Sequence, residues 1–129
     1  INSVSCTNAA TQYAAIAALD GPQDQVLNML NQFKKRRNLI VEKTNLIPGM
    51  SSQMPQGAFY TMPNIKKTKL TSREMENLLL EELKIATVAG TSFGEYGEGY
   101  IRFSYANSEE NINEALSRIH EYAINNNWG

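Results

Sequence analysis

The amino-acid sequence predicts an α+β fold, a small and mainly antiparallel sheet covered on one face by helices. Three observations carry this. The 129 residues are enough for a domain with a core, burying roughly two-thirds of the surface its unfolded form would expose. The elements run helix, long helix, strand, helix, strand, strand, helix, an order that suits helices packed over one sheet. Tyr100 to Tyr105 alternates with period two, so Ile101, Phe103 and Tyr105 face one side and Tyr100, Arg102 and Ser104 the other. No internal repeat, low-complexity tract or second domain is visible, and residues 1–129 read as a single domain.

Taken in order, Thr7 to Leu19 is alanine-rich, and alanine is the best helix former; Tyr13, Ile16, Ala17 and Leu19 give this helix an apolar side. Asp20-Gly21-Pro22 breaks it, with Pro22 suited to the first turn of the next helix. From Gln23 to Lys43, Val26, Met29, Leu30, Phe33, Ile40 and Val41 form one face of a long amphipathic helix. Asn45 to Gln56 is a loop. Gly57 to Met62 is short, aromatic and β-prone, and Pro63 closes it. Asn64 to Leu70 is a polar connector. Thr71-Ser72-Arg73-Glu74 is a capping box: the Thr71 hydroxyl accepts the Glu74 N–H while the Glu74 carboxylate reaches back to Thr71. Met75, Leu78, Leu79 and Leu83 line the helix that follows. Ile85 to Val88 reads as a strand, and Ser92 to Gly99 as a glycine-rich loop. Asn107 or Ser108 caps the last helix, with Glu109 and Glu110 in its first turn, where the helix dipole favours anions. Its apolar set is Ile112, Ala115, Leu116, Ile119 and Ala123. The tail from Asn125 to Gly129 is expected to fray.

Composition excludes several kinds of function. Apolar residues make up 42% and charged residues 19%, which is ordinary globular material and not a disordered chain. A net charge of −1 supplies no field to gather nucleic acid or an anionic membrane, so neither is an expected partner. One cysteine, Cys6, rules out an internal disulfide and any multi-cysteine metal site, and one histidine, His120, rules out two-histidine zinc motifs. No targeting signal is visible, and the apolar stretch Tyr13 to Leu19 falls far short of the roughly 20 residues of a membrane span. A reducing, cytoplasmic setting is therefore expected. Position 1 is Ile, as if the chain began inside a longer reading frame.

Few residues stand out for chemistry. Lys34 to Arg37 is the only basic run; without interleaved aromatics it reads as a solvated helix face and not as a nucleic-acid contact. Gly94, Gly97 and Gly99 precede a strand, whereas a dinucleotide loop follows a strand and opens a helix, so they read as a tight loop. His120 reads as a boundary residue and Cys6 as a small packed one. Arg102 is different. It sits between Ile101 and Phe103 in an apolar strand, where a guanidinium needs a partner. Its planar fork suits a carboxylate, either from a ligand or from a glutamate such as Glu95 or Glu98.

Several motifs resemble a known family. Ala89-Gly90-Thr91-Ser92-Phe93-Gly94, followed by Gly97-Glu98-Gly99-Tyr100-Ile101-Arg102-Phe103-Ser104-Tyr105-Ala106, resembles the C-terminal signature of class I/II pyridoxal-phosphate aminotransferases, the aspartate aminotransferase-like group of fold type I. Gln12 to Leu19 is similar to the family's helix after the lysine segment, Arg36-Arg37 to its interdomain helix, and Pro55-Gln56-Gly57-Ala58-Phe59-Tyr60 to its Pro-x-Gly-Ala-Phe-Tyr strand. Leu78 to Glu82 and Ser108 to Ile119 also fit. The strip from Asn2 to Thr7 resembles a segment near the subunit interface. Ala89 departs from the pattern, since the family usually has proline there.

This resemblance implies the small domain of a fold type I enzyme, with Arg102 binding the α-carboxylate of the substrate and Phe59 near that substrate. It implies pyridoxal 5'-phosphate as cofactor of the intact enzyme, amino acids and 2-oxo acids as substrates, domain closure over the active site, and a homodimer. No Ser-Lys segment is present: Lys34, Lys35, Lys43, Lys66, Lys67, Lys69 and Lys84 lie in unrelated contexts. The chain is accordingly expected to be the C-terminal small domain of a transaminase, to bind no cofactor and to be inactive by itself, with the large domain elsewhere. The face from Val26 to Phe33 is expected to pack on that large domain. A free-standing regulatory α+β domain that binds a carboxylate through Arg102 is the alternative, and a nucleic-acid module using Lys34 to Arg37 is a further one.

Overall fold

The computed structural model describes residues 6–129, which fall into two compact units divided between Asn31 and Gln32. Most of the strip from Asn2 to Thr7 lies outside the described residues. In the first unit Asn8 caps helix α1 (Ala9–Asp20) by accepting the Thr11 N–H at 2.9 Å. Alanine makes the helix, but nothing covers its apolar side: no residue of α1 is buried, and Tyr13, Ile16 and Leu19 are exposed. Cys6 is likewise exposed and not a packed residue. The Gly21 N–H reaches the Ala17 carbonyl at 3.0 Å and ends α1. Helix α2 (Asp24–Asn45) begins two residues after Pro22, and its apolar face changes character along its length. Val26, Met29 and Leu30 are exposed, Phe33 is half-buried, and Ile40 and Val41 are buried.

The second unit is built on three antiparallel strands in the order β1-β3-β2: β1 (Tyr60–Thr61), β2 (Val88–Ala89) and β3 (Ile101–Ser104). Tyr60 pairs with Ser104 and Thr61 with Phe103, while Val88 pairs with Arg102 and Ala89 with Ile101. Asn64 continues the first register by bridging Tyr100, so Met62 stands opposite Arg102. Helix α3 (Ser72–Glu81) and helix α4 (Glu109–Asn125) supply Met75, Leu79, Ile112, Leu116, Ile119 and Ala123 to one core with Ile101, Phe103 and Tyr105. The α+β class and the one-sided cover of helices agree with the sequence.

Two predicted strands are shorter than the pattern suggested, for backbone reasons. Ala58 adopts a left-handed φ of 58°, which breaks the extended run from Gly57, and pairing starts only at Tyr60. Lys84 has a φ of 57° and the Ile85 N–H turns back to the Leu79 carbonyl at 2.8 Å, so only Val88–Ala89 joins the sheet. The capping box forms as expected, with Glu74 Oε2 accepting from the Thr71 N–H at 2.8 Å and its hydroxyl at 2.7 Å. Those two bonds hold the Glu74 carboxyl below its usual range. Ser108 is the cap of α4. The tail is not frayed: Trp128 is buried, packs edge-on against Tyr122 at 5.6 Å, and donates its backbone N–H to the Ala123 carbonyl at 2.9 Å. Burying an indole supplies the apolar area that a polar tail lacks.

Candidate functional site

Alternation along β3 divides the sheet into two faces. Thr61, Ala89, Ile101, Phe103 and Tyr105 point into the core. The other face carries Tyr60, Met62, Val88, Tyr100, Arg102 and Ser104, none of them buried, and no helix of the core packs on it. A cleft of about 550 Å³ opens beside this face, lined by Ser51, Tyr60, Met62, Asn64 and Tyr100 among others. A second cleft, about 350 Å³, lies toward α4 against Phe103, Ile112 and Ile119, away from Arg102.

Arg102 is the cation at the centre of the open face, and it is half-buried. Among the described residues it makes no ion pair; the two pairs present are Arg73–Glu76 and Arg118–Glu114. Glu98 is engaged elsewhere, accepting the Ser72 N–H at 2.9 Å at the start of α3, and Glu95 is exposed with no bond to Arg102. The guanidinium nitrogens donate to no described residue, and none is sealed from solvent. Two rings hold the guanidinium instead: its carbon lies 4.3 Å from the Tyr60 ring centroid and 5.0 Å from that of Phe93. Tyr60 comes from β1 and Phe93 from the 3-10 turn Gly90–Phe93 that follows β2, so the rings approach from the two flanks of β3. A cation flanked by two rings, with N–H donors bonded to no described residue, is suited to accept a carboxylate from outside the chain.

Helix α3 fixes the loop that leads into this strand. The buried Ser72 hydroxyl donates to the Gly97 carbonyl at 3.2 Å and accepts the N–H groups of Gly99 at 2.9 Å and Tyr100 at 3.2 Å. Glu76 pairs with Arg73 and accepts the Ala89 N–H at 3.1 Å, a bond that proline at this position could not make. The φ of −58° at Ala89 is nonetheless one that the family's proline would also adopt. Gly90 and Gly97 sit so close that a Cβ on either would strike the carbonyl of the other.

Phe59 is exposed and does not touch Arg102 directly. Its ring centroid lies 4.3 Å from that of Tyr60 and 6.2 Å from that of Phe33. Tyr60 and Phe93 were missed by sequence reasoning. Their aromatic character was visible, but their meeting at Arg102 depends on strand register. Lys34 and Lys35 are solvated as expected, whereas Arg36 and Arg37 are half-buried, with Arg37 donating to the Pro55 carbonyl at 3.4 Å. The Arg36 Nε is buried without a partner, and Arg36 helps the Glu110 backbone N–H and Ser108 hold the Glu110 carboxyl below its usual range. His120 is half-buried on α4, a boundary residue.

Comparison with known proteins assigns the class. The family model for Aminotransferase class I and II matches residues 1–119. The chain is 43% identical over 110 residues to an aspartate aminotransferase of Pyrococcus abyssi, covering 84% of this chain and 28% of that protein. It is 41% identical over 110 residues to aromatic-amino-acid aminotransferase 2 of Thermococcus litoralis, with the same 84% and 28% covered. Among solved structures, alanine aminotransferase from Pyrococcus furiosus superposes with a TM-score of 0.86 at 36% identity, over 93% of this chain and 31% of that one. The chain belongs to the class I and II aminotransferases. It spans about 30% of the length of the curated relatives it matches.

Membership implies pyridoxal phosphate in the intact enzyme. That cofactor needs a Schiff-base lysine and a cradle of backbone N–H groups for its phosphate. The described residues do not fit it. Six of the seven lysines are exposed and Lys43 is half-buried; Lys66 Nζ lies 5.4 Å from the Tyr100 ring centroid, a cation–π contact and not a Schiff-base setting. At Gly90 and Gly97 the glycine loop packs backbone against backbone, so these two glycines frame no phosphate cradle. What these residues offer is the Arg102 guanidinium, flanked by two rings and without an ion pair among the described residues. Among the described residues no helix is long and apolar enough to cross a membrane.

Proposed function

We propose that residues 1–129 are the C-terminal small domain of a pyridoxal-phosphate-dependent amino-acid aminotransferase, and that Arg102 binds the α-carboxylate of its amino-acid and 2-oxo acid substrates. One observation supports this most: a guanidinium held on the open face of a central strand, with no carboxylate of its own among the described residues. The planar fork grips the substrate at one end and so orients its Cα–H bond. Because the grip would tie this domain to the rest of the enzyme, substrate binding and domain closure would be one event. Phe59, beside Tyr60, borders the substrate. The cofactor lysine and phosphate seat belong to the large domain outside these residues, so this chain by itself is inactive. The exposed Val26, Met29 and Leu30 pack on that large domain. The intact enzyme is a cytoplasmic homodimer.

In the complete enzyme, Arg102→Lys lowers kcat/KM substantially, since a point charge replaces the bidentate fork. Truncation to alanine removes about 2–5 kcal/mol of transition-state binding. Steady-state kinetics of both variants test the reading, and an unchanged kcat/KM overturns it.

A further inference from the structure

The described geometry gives Arg102 an unusual setting. Ion-paired arginines are held by their N–H edges, but here the N–H groups bond to no described residue and two aromatic rings lie near the guanidinium carbon. Tyr60 and Phe93 stand 4.3 and 5.0 Å from the guanidinium carbon and reach it from opposite flanks of β3. Phe93 is itself 57% exposed, so its position owes little to burial in the core. Its segment is tied down from α3 instead: Glu76 holds Ala89, and Arg73, paired with Glu76, reaches the Ser92 hydroxyl at 3.5 Å.

Resting on the carboxylate reading of Arg102, we infer that Tyr60 and Phe93 are positioning residues that clamp the guanidinium by its faces and leave only its edge to the ligand. An edge between two rings accepts a planar carboxylate lying in the guanidinium plane. A phosphonate that sets two oxygens in that plane carries its third oxygen to one side of it, toward a clamping ring. The clamp therefore makes the site prefer a carboxylate to a phosphonate, a preference that charge alone would not produce.

The test uses the complete enzyme. The probes are alanine, phenylalanine and aspartate, each compared by calorimetry with the analogue carrying a phosphonate in place of the α-carboxylate. Phe93→Leu and Tyr60→Leu are expected to weaken binding of the amino acid by about 3- to 10-fold, the scale of a lost cation–π contact. Phosphonate binding is expected to hold or improve, so the preference narrows. Phe93→Tyr and Tyr60→Phe keep a ring and are expected to keep the preference. Phe93 is exposed, so its leucine variant folds and carries the test even if Tyr60→Leu does not. An unchanged preference in Phe93→Leu overturns the clamp while leaving Arg102 as the carboxylate ligand. If Arg102→Lys leaves binding of both probe series unchanged, the carboxylate reading itself fails, and the clamp with it.

Discussion

The two faces of β3 carry opposite chemistry over a few residues. On one face Ile101, Phe103 and Tyr105 are 0%, 5% and 1% exposed and belong to the core shared with α3 and α4, where the burial of large side chains is the main stabilising effect. On the other, Arg102 has no ion pair among the described residues and is steadied by aromatic rings while its donors bond to no described residue. The pleat alone produces this separation, because successive residues point to opposite sides. One strand can therefore contribute to the core and hold a cation on its open face, and damage to the two faces should be read by different measurements.

The largest expected effect breaks the comparison if it is wrong. Phe103→Ala should cost about 3–5 kcal/mol of stability in denaturant unfolding, from lost burial and the cavity left behind. Arg102→Ala, one residue away, should cost less than about 1 kcal/mol, since only its contacts with Tyr60 and Phe93 are lost. Comparable losses at both positions would mean that Arg102 is structural. A smaller effect asks how firmly the core steadies the open face. Ser72→Ala removes the hydroxyl that serves Gly97, Gly99 and Tyr100 and should cost about 1–3 kcal/mol, because it leaves buried backbone groups without partners. Amide hydrogen exchange should rise at Gly99 and Tyr100; unchanged protection there would show that the loop does not depend on α3.

A smaller effect again is expected from a single hydroxyl on the core face. The Tyr105 hydroxyl donates to the Ala58 carbonyl at 3.0 Å, and Tyr105→Phe should cost about 1 kcal/mol at neutral pH. Burial raises the Tyr105 pKa above its ordinary value of 10.0, against a partial lowering by the Arg37 charge. The folded protein thus binds this proton more tightly than the unfolded chain. The associated stability is intact below about pH 10 and is lost as pH rises through the folded pKa. Alkaline unfolding should be less steep in Tyr105→Phe than in the parent, and identical slopes would remove Tyr105 as its cause.

Much of this was visible in the residues themselves. Helix α1 follows from its alanines, the α3 start from Thr71 and Glu74, and the faces of β3 from its alternation, because each depends on neighbours a few positions apart. Arg102 could be singled out for the same reason, as a charge in an apolar strand. Partners were not visible. Glu98 was a plausible mate for Arg102, yet it holds Ser72, 26 positions away in sequence. The polar tail suggested fraying, but Trp128 found Tyr122. The apolar side of α1 suggested burial that no described residue provides.

By itself the sequence determined the helices, the period-two strand and the isolated cation, all of which follow from local sterics, hydrogen bonding and side-chain periodicity. Only the tertiary structure decided that the cation's face of the sheet stays open, that Met62 and Val88 stand opposite it, and that Tyr60 and Phe93 meet over its guanidinium. Those contacts join residues far apart in the chain, and strand register, set by the packing of the whole core, is what brings them together.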